Sequence, residues 1–309
     1  MAAYQVSRSL TISAPVETIH ASLIDFKQWP AWSPWLIIEP DATLKYSDPQ
    51  GEAGSNYSWE GELIGSGSMQ IEKITDSKVD IKITFITPFK SKADVNFELE
   101  SLNTGETRVT WNMAGKVPFF LIPMLKKMKA YIGMDYERGL RLLKEYIETG
   151  AISSSITIGG ISNHPTVQYI GIKNECKLED MGKVMPADFQ KLAQFVEDNN
   201  LSTNSAFTLY NEFDLVEQHA SFISAISIDS DMEVVAPFMI GELKGGECVK
   251  VMHTGSYPHL GNGWAAAMGY ARAKKINTTK TPVGIEYYLN DPITTPANEL
   301  ITAIVLPIK

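Results

Sequence analysis

The sequence predicts an α+β protein of two domains, and three observations support this prediction. At 309 residues, the chain is near the upper limit for a single hydrophobic core. Apolar and polar residues alternate from Ala42 to Pro118, and residues 120–148 then change to a helical period. The second half repeats a strand–helix–strand–strand pattern. We therefore predict a first domain over residues 1–149, a linker over 150–163 and a second domain over 164–309.

The first domain is predicted to be an antiparallel sheet wrapped around a long helix. Residues 4–13 alternate as a strand, and a short helix follows that runs to about Asp25. Pro30 and Pro34 exclude a regular element from the next segment, which places three tryptophans in a loop. About six strands separated by glycine-containing turns then precede the helix over 120–148.

A long helix that closes a sheet in this way can leave an apolar cavity between the two. Trp59 and Trp111 lie in predicted strands, and Met124 and Met128 lie on the closing helix. Their types suit a ligand-facing surface, and methionine in particular adapts to irregular apolar shapes. The alternative for each of the four is a place in a filled core, so lining and packing both remain open.

The second domain is predicted to contain two copies of one folding unit. Each copy has a strand, a helix and two strands. In the first copy these elements cover residues 167–173, 186–199, 207–211 and 222–228. In the second copy they cover residues 247–253, 259–275, 283–290 and 300–307. A single unit cannot cover both faces of its own sheet, whereas two units related by a pseudo-dyad can. The groove between them is a natural ligand site. The preceding strip, 150–163, is small and polar, and brief pairing as an edge strand remains open there.

The charge of the chain argues against nucleic-acid binding. The formal net charge is −9, and both halves carry more acidic than basic residues. Such a surface repels phosphate backbones. The nearest feature to a basic stripe is Lys126, Lys127 and Lys129, which is typical of a solvated helix face. We therefore expect no nucleic-acid partner.

Cysteine and histidine usage predicts neither a metal site nor a cofactor. Cys176 and Cys248 are too few for a disulfide scaffold or a four-cysteine zinc site. His253 and His259 lack a third ligand at suitable spacing. No apolar run of 18 or more residues occurs, and the first residues do not form a signal peptide. We expect a soluble protein of the reducing cytoplasm with no membrane partner.

Several motifs of the first half are similar to those of a known superfamily. They are Ala14-Pro15-Val16-Glu17, Asp25 followed by Trp29 and by Trp32-Ser33-Pro34-Trp35, and Gly54-Ser55-Asn56-Tyr57-Ser58-Trp59. With these motifs, residues 4–149 resemble the START-like superfamily, also called SRPBCC or polyketide cyclase/dehydrase-like. The resemblance implies a helix-grip fold with a cavity. It is a poor guide to activity, because that fold serves many uses.

The second half carries a further set of motifs. They are His253-Thr254-Gly255-Ser256-Tyr257, the segment from Gly284 to Pro292, Thr295-Pro296 and Glu299-Leu300. With these motifs, residues 164–309 resemble the GyrI-like family, the effector-binding domains of bacterial multidrug-responsive transcription activators and their stand-alone relatives. The resemblance implies a pocket between the two repeats for flat, hydrophobic and often cationic molecules. It also implies that Glu286 faces this pocket and that Tyr257 borders it.

The residues around Glu286 support the same prediction. Val283, Ile285 and Tyr287 alternate to one face of the strand, and Glu286 and Tyr288 alternate to the other. A carboxylate in the middle of a β-strand is costly unless it is solvated, paired or available to a cation. An exposed strand face is therefore the alternative to a pocket.

Trp264, on the neighbouring predicted helix, is a further candidate to line the pocket. The predicted function is small-molecule binding by a sensing or sequestering module. Activators of the GyrI-like family carry a DNA-binding helix-turn-helix where this chain has its START-like half. A protein partner is compatible with such a module, but no residue identifies one.

The alternative function is hydrolysis of reactive electrophilic compounds. Glu286 would activate water and Tyr257 would donate a hydrogen bond. The same buried carboxylate serves cation binding and general-base catalysis, so the sequence leaves open whether the protein is an enzyme.

Overall fold

A computed structural model of the chain describes residues 1–229 and 232–309. The described residues divide into two units, Met1–Ile152 and Ser153–Lys309. Each unit combines one antiparallel sheet with helices, so the predicted α+β class is confirmed. Among the helices described, none is long and apolar enough to cross a membrane.

The first unit contains a seven-stranded antiparallel sheet. Its strands are β1 (Ala2–Ile12), β2 (Thr43–Tyr46), β3 (Asn56–Gly61), β4 (Gly65–Thr75), β5 (Lys78–Thr87), β6 (Ser91–Asn103) and β7 (Glu106–Val117). The order across the sheet is β1-β7-β6-β5-β4-β3-β2, so β2 to β7 form a meander and β1 pairs with its last strand. The six predicted strands between Ala42 and Pro118 are thus confirmed.

Two α-helices complete this unit, α1 (Val16–Ile24) and the long α2 (Leu125–Thr149). Helix α2 packs against β1 and β7, which is the helix-grip arrangement predicted from the sequence. The closing helix begins later than expected, because Phe119–Met124 form a separate 3₁₀ helix that contains Pro123. Proline lacks an amide hydrogen, and its ring clashes with the preceding turn of an α-helix.

Aromatic side chains fill the space between the sheet and α2. Trp29, Trp32 and Trp111 are all fully buried. The ring of Trp111 stacks on Tyr136 of α2, with ring centroids 4.1 Å apart and planes inclined by 13°. A Cβ atom at Gly139 would lie 2.6 Å from the Trp111 ring, so glycine is what allows α2 to approach it so closely. Aromatic packing therefore forms the core of the first unit.

The second unit contains an eight-stranded antiparallel sheet and two helices. Its elements are β8 (Ser155–His164), β9 (Val167–Lys177), α3 (Met181–Asp198), β10 (Ala206–Asp214), β11 (His219–Ser227), β12 (Phe238–Leu243), β13 (Gly246–Thr254), α4 (Leu260–Ala273), β14 (Gly284–Tyr288) and β15 (Ile301–Pro307). The strand order is β12-β9-β11-β10-β14-β15-β13-β8. The central strands β10 and β14 are equivalent in the two halves, which confirms the predicted repeat.

Each half of this sheet carries one helix. Helix α3 packs on β9 and β11, and α4 packs on β13 and β15. Helix α3 begins at Met181 rather than at the predicted start, so Pro186 lies inside it. Met181 and Met185, which precede this proline in the helix, pack against the buried cluster that contains Tyr210.

The predicted linker needs correction. Ser155–His164 form β8, which pairs with β13 from Ser155 opposite Thr254 to His164 opposite Gly246. The segment is rich in serine and glycine, which conceals its period of two. Pairing at a sheet edge depends on backbone groups, so a small and polar composition does not prevent it. The second unit therefore begins at Ser153, and β12 is a further strand that the sequence pattern did not predict.

Candidate functional site

A buried carboxylate lies beside the central strand pair of the second unit. Glu286, the middle residue of β14, is 3% exposed. It lies directly opposite Thr208 of β10, so these two side chains share the sheet face that Tyr288 and Tyr210 also occupy. The exposed strand face considered from the sequence is therefore excluded, and Glu286 lies inside the domain.

Three neutral donors hold the Glu286 carboxylate. The hydroxyls of Tyr210 and Tyr288 donate to Oε2 at 2.9 and 3.0 Å. The indole Nε1 of Trp264 donates to Oε1 at 2.5 Å. Across residues 1–229 and 232–309, no lysine, arginine or histidine forms an ion pair with this carboxylate. Its hydrogen bonds are satisfied, but its charge has no protein counter-charge.

Burial determines the protonation of this site. Desolvation raises the pKa of Glu286 above 4.5, and the hydrogen bonds from Trp264, Tyr210 and Tyr288 oppose that rise. Burial, together with the charge of Glu286, raises the pKa of Tyr210 and of Tyr288 well above the usual value. Both tyrosines are therefore neutral donors throughout the physiological pH range.

Trp264 reaches the carboxylate because Gly284 leaves room for it. A Cβ atom at Gly284 would lie 2.5 Å from the indole ring of Trp264. The ring also packs edge-on against Tyr210, with centroids 5.3 Å apart and planes at 89°. A glycine two residues before the acid therefore lets α4 place its tryptophan over β14.

Apolar and aromatic side chains surround these donors. On α3, Phe189 packs edge-on against Tyr288 at 5.5 Å, and the sulfur of Met185 lies 3.9 Å from the Tyr210 hydroxyl. The half-buried Tyr257 has its ring centroid 5.7 Å from that of Tyr288. We refer to Glu286, Tyr210, Tyr288, Trp264 and Tyr257 as the acid–aromatic cluster.

This geometry combines one buried negative charge with flat apolar faces. Such a combination suits a ligand that is itself flat, apolar and positively charged. Oε2 accepts two hydrogen bonds and Oε1 accepts one, so a proton abstracted from a ligand or water would go to Oε1.

The family to which this arrangement belongs follows from comparison with known proteins. Residues 161–309 match the family model of the GyrI-like small molecule binding domain. The second unit is a GyrI-like domain. This match confirms the resemblance inferred from its motifs, and the family supports a role in ligand binding. No curated protein sequence matches the chain.

Several solved structures are similar to the chain at low identity. The cryo-EM structure of the EcmrR–DNA complex is 15% identical over 60% of this chain and 69% of that chain, with a TM-score of 0.43. The crystal structure of the EcmrR C-terminal domain is 15% identical over 51% of this chain and 99% of that chain, with a TM-score of 0.43. The solution structure of the Aha1 dimer from Colwellia psychrerythraea is 17% identical over 48% of this chain and 98% of that chain, with a TM-score of 0.36.

The GyrI-like domain brings together all four of the site residues predicted in its sequence. Glu286, Tyr288 and Trp264 are joined by hydrogen bonds, and Tyr257 contacts Tyr288 through its ring. Tyr257 forms no hydrogen bond with Glu286. Burial, followed by the charges of Glu286 and Asp291, raises its pKa. It is therefore a neutral edge of the cluster rather than a direct partner of the acid.

The four candidates in the first unit differ widely in burial. Trp111 is fully buried and Trp59 nearly so, and both belong to the aromatic core. Met124 is 61% exposed and lies in the 3₁₀ helix before α2, whereas Met128 is half-buried. The sequence left cavity lining and core packing open for these residues, and the structure places Trp59 and Trp111 in the packed core. Residue type alone does not distinguish a cavity wall from a filled core.

Sequence reasoning missed the contribution of the first repeat to the site. Tyr210 and Thr208 of β10 contact Glu286 and Tyr288, and Phe189 and Met185 of α3 cover them. The available signal was the repeat itself. Two units related by a pseudo-dyad bring equivalent strands together, so the strand over 207–211 had to lie beside Glu286.

A second buried polar cluster lies behind the motif that begins at His253. The hydroxyl of Ser154 lies 2.9 Å from His253 Nε2 and accepts a hydrogen bond from Asn262 Nδ2 at 3.1 Å. Burial, with a contribution from the charge of His259, lowers the pKa of His253 to about 4. Within the described parts of the chain, no group of histidines, cysteines and acids could hold a metal ion. These contacts connect α4 and β13 to the segment before β8.

Proposed function

We propose that the GyrI-like domain binds a planar, apolar cation at the acid–aromatic cluster. The observation that carries this proposal is the state of Glu286. Glu286 is 3% exposed and its carboxylate is held by three neutral donors, and within residues 1–229 and 232–309 it forms no ion pair with a cationic side chain. An uncompensated buried charge is costly, and a bound cation offsets that cost.

The neighbours of Glu286 supply the remaining affinity. The rings of Tyr257, Tyr288 and Trp264 offer apolar faces, and the faces of aromatic rings also attract cations. Phe189 and Met185 add apolar surface from α3. Methionine adapts its shape, so this side of the cluster suits ligands of more than one outline.

We infer further that ligand binding serves sensing or sequestration. The residues ahead of the GyrI-like domain fold as a seven-stranded sheet closed by a helix, rather than as a helix-turn-helix. A bound ligand would therefore either remain captured or change the contacts of the protein with a partner.

Hydrolysis of an electrophilic ligand is a second candidate function. Burial raises the pKa of Glu286, and a raised pKa is typical of carboxylates that act as general bases. This observation favours hydrolysis. Incubation with electrophilic and ester substrates distinguishes it from binding. Product beyond one equivalent, lost in Glu286→Gln and reduced in Tyr257→Phe, would establish hydrolysis.

The binding proposal is tested by titration with a cationic dye and with a neutral dye of similar size and shape. Glu286→Gln retains the shape of the side chain and removes its charge. We expect affinity for the cation to fall by about 1–3 kcal/mol, the range for interactions of a charged group, and affinity for the neutral dye to be retained.

Glu242→Gln is the matched control, because Glu242 is an exposed acid on the edge strand β12. It should bind both dyes as the wild type does. Equal losses for both dyes in Glu286→Gln would show that Glu286 serves packing, and unchanged binding of both would place the ligand elsewhere.

A further inference from the structure

Large apolar side chains are exposed where the chain leaves the sheet of the first unit, after β7. Phe119 and Phe120 are 70% and 78% exposed in the 3₁₀ helix that follows β7. Ile122 and Met124 in the same short helix are also exposed. Monomeric proteins rarely group such residues on their surface without a binding function.

A second group of exposed apolar residues emerges at the same end of the sheet. Ile86 lies near the end of β5, and Phe89, which is 80% exposed, lies in the turn between β5 and β6. Ala93 pairs with Gly115, so the beginning of β6 lies beside the end of β7. The turn before β6 and the helix after β7 are therefore neighbours, and we call residues 86–92 and 116–129 together the tip.

The tip is strongly basic in an otherwise acidic chain. It contains six exposed lysines and no aspartate or glutamate, whereas the whole chain has a net charge of −9. The lysines are Lys90, Lys92, Lys116, Lys126, Lys127 and Lys129. Among the described residues, none of the six forms an ion pair with an acidic side chain. Their charge is therefore available to an external partner.

In contrast to the sequence analysis, which led us to expect no membrane partner, we propose that the tip docks on the surface of a bilayer that contains anionic phospholipids. Exposed phenylalanines flanked by lysines combine the two attractions of such a surface, which are burial of apolar side chains among the lipids and pairing of lysines with anionic headgroups. The acidic remainder of the chain is repelled by the same surface, so the charge distribution also orients the protein with its tip toward the membrane.

Other occupants fit the tip less well. A tip-to-tip contact between two copies would bring the lysines of both copies together. Strands β5, β6 and β7 are each paired on both sides, so they offer no free edge to an extended peptide. A bilayer requires neither a groove nor a strand edge.

The proposal is tested by co-sedimentation of the full chain with phosphatidylcholine vesicles, with and without phosphatidylserine. We expect binding only to the vesicles with phosphatidylserine, and weaker binding at high salt. The double variant Phe119→Ser/Phe120→Ser and the triple variant Lys126→Gln/Lys127→Gln/Lys129→Gln should each lower affinity by at least about tenfold.

Matched controls lie in the second unit. Phe213→Ser removes another exposed phenylalanine, and Lys183→Gln/Lys244→Gln/Lys280→Gln removes three exposed lysines elsewhere. Both controls should bind as the wild type does. Circular dichroism verifies that every variant is folded.

Three results would overturn the proposal. The first is an absence of binding to the anionic vesicles, and the second is binding that the tip variants leave unchanged. The third is a wild-type protein that forms a dimer and does not bind vesicles, while the Phe119→Ser/Phe120→Ser variant is a monomer. That result would make the tip a contact between copies of the chain.

Discussion

The indole nitrogen of Trp264 donates a hydrogen bond to Oε1 of Glu286 and so connects α4 to the central strand β14. Tyr210 provides the corresponding connection from β10, at Oε2 of the same carboxylate. One acid therefore joins elements from both repeats of the GyrI-like domain. A change in its protonation would therefore affect contacts on both sides of the pseudo-dyad.

The contact between Trp264 and Gly284 provides a first prediction. Gly284→Ala would place a methyl group 2.5 Å from the indole ring, so the ring must shift and its hydrogen bond to Glu286 is lost. We expect destabilisation by about 1–3 kcal/mol, together with weaker dye binding. Chemical denaturation and dye titration measure the two effects.

Gly182→Ala is the control for this substitution. Gly182 lies in α3 and has open space around its Cα atom, so alanine should be neutral or stabilising there. If Gly284→Ala were also neutral or stabilising, the position of the Trp264 ring would not depend on a glycine at residue 284.

Cation affinity should depend on pH through Glu286. Its pKa lies above 4.5 because burial disfavours the charged form, and only the charged form attracts a cation. Affinity for a cationic dye should therefore rise as the pH rises through that pKa, and affinity for the neutral dye should remain constant. Titrations over a pH series, with Glu286→Gln as the pH-independent reference, measure this. An equal pH response of both dyes would contradict the assignment.

Glu286 should also make the free energy of unfolding depend on pH, in the opposite direction to the affinity for the cationic dye. The folded protein holds the proton of Glu286 more tightly than the unfolded chain does. This contribution to the free energy of unfolding is fully present below pH 4.5 and is lost as the pH rises through the raised pKa. Glu286→Gln should remove that decline, which urea denaturation at several pH values would show.

His253 should make the protein sensitive to acid. Its pKa falls from 6.5 to about 4 on folding, so the unfolded chain binds the proton more tightly. The stabilisation is fully present above pH 6.5 and is lost as the pH falls through about 4. A shift of this size corresponds to about 3 kcal/mol. His253→Asn should show a flatter acid limb in denaturation curves than the wild type does.

The two units are expected to fold independently, with a protease-sensitive junction between them. Residues 155–164 are paired in β8 and Ser154 is buried beside His253, so cleavage should be confined to the short segment from Gly150 to Ile152. Limited proteolysis followed by mass spectrometry would locate the cut, and circular dichroism would show whether both fragments remain folded. Unfolding of both fragments after cleavage would show that each unit depends on the other.

Local patterns predicted the elements of this protein well wherever one face is buried. In β5, Val79, Ile81 and Ile83 are buried at every second position, and this period is readable from the sequence. The alternation around Glu286 likewise placed it on one face with Tyr288, and the structure joins the two by a hydrogen bond. The serine- and glycine-rich β8 has no comparable contrast between its faces.

Other features depend on contacts that local patterns do not encode. Tyr210 reaches Glu286 through the pairing of β10 with β14, which lie far apart in the chain. Trp111 has a residue type that suits a cavity wall, but packing against Tyr136 and Gly139 places it in a filled core. In both cases the register and spacing of distant elements determine the role of the side chain.

The edge strand β8 determines where the GyrI-like domain can be cut from the chain for separate production. The family match begins at residue 161, but the residues of β8 before that point pair with β13 from Lys250 to Thr254. A fragment starting at residue 161 would lose this half of the strand and the Ser154 hydroxyl that contacts His253. It would also expose unpaired backbone on β13, which promotes aggregation. A fragment starting at Ser153 retains both features.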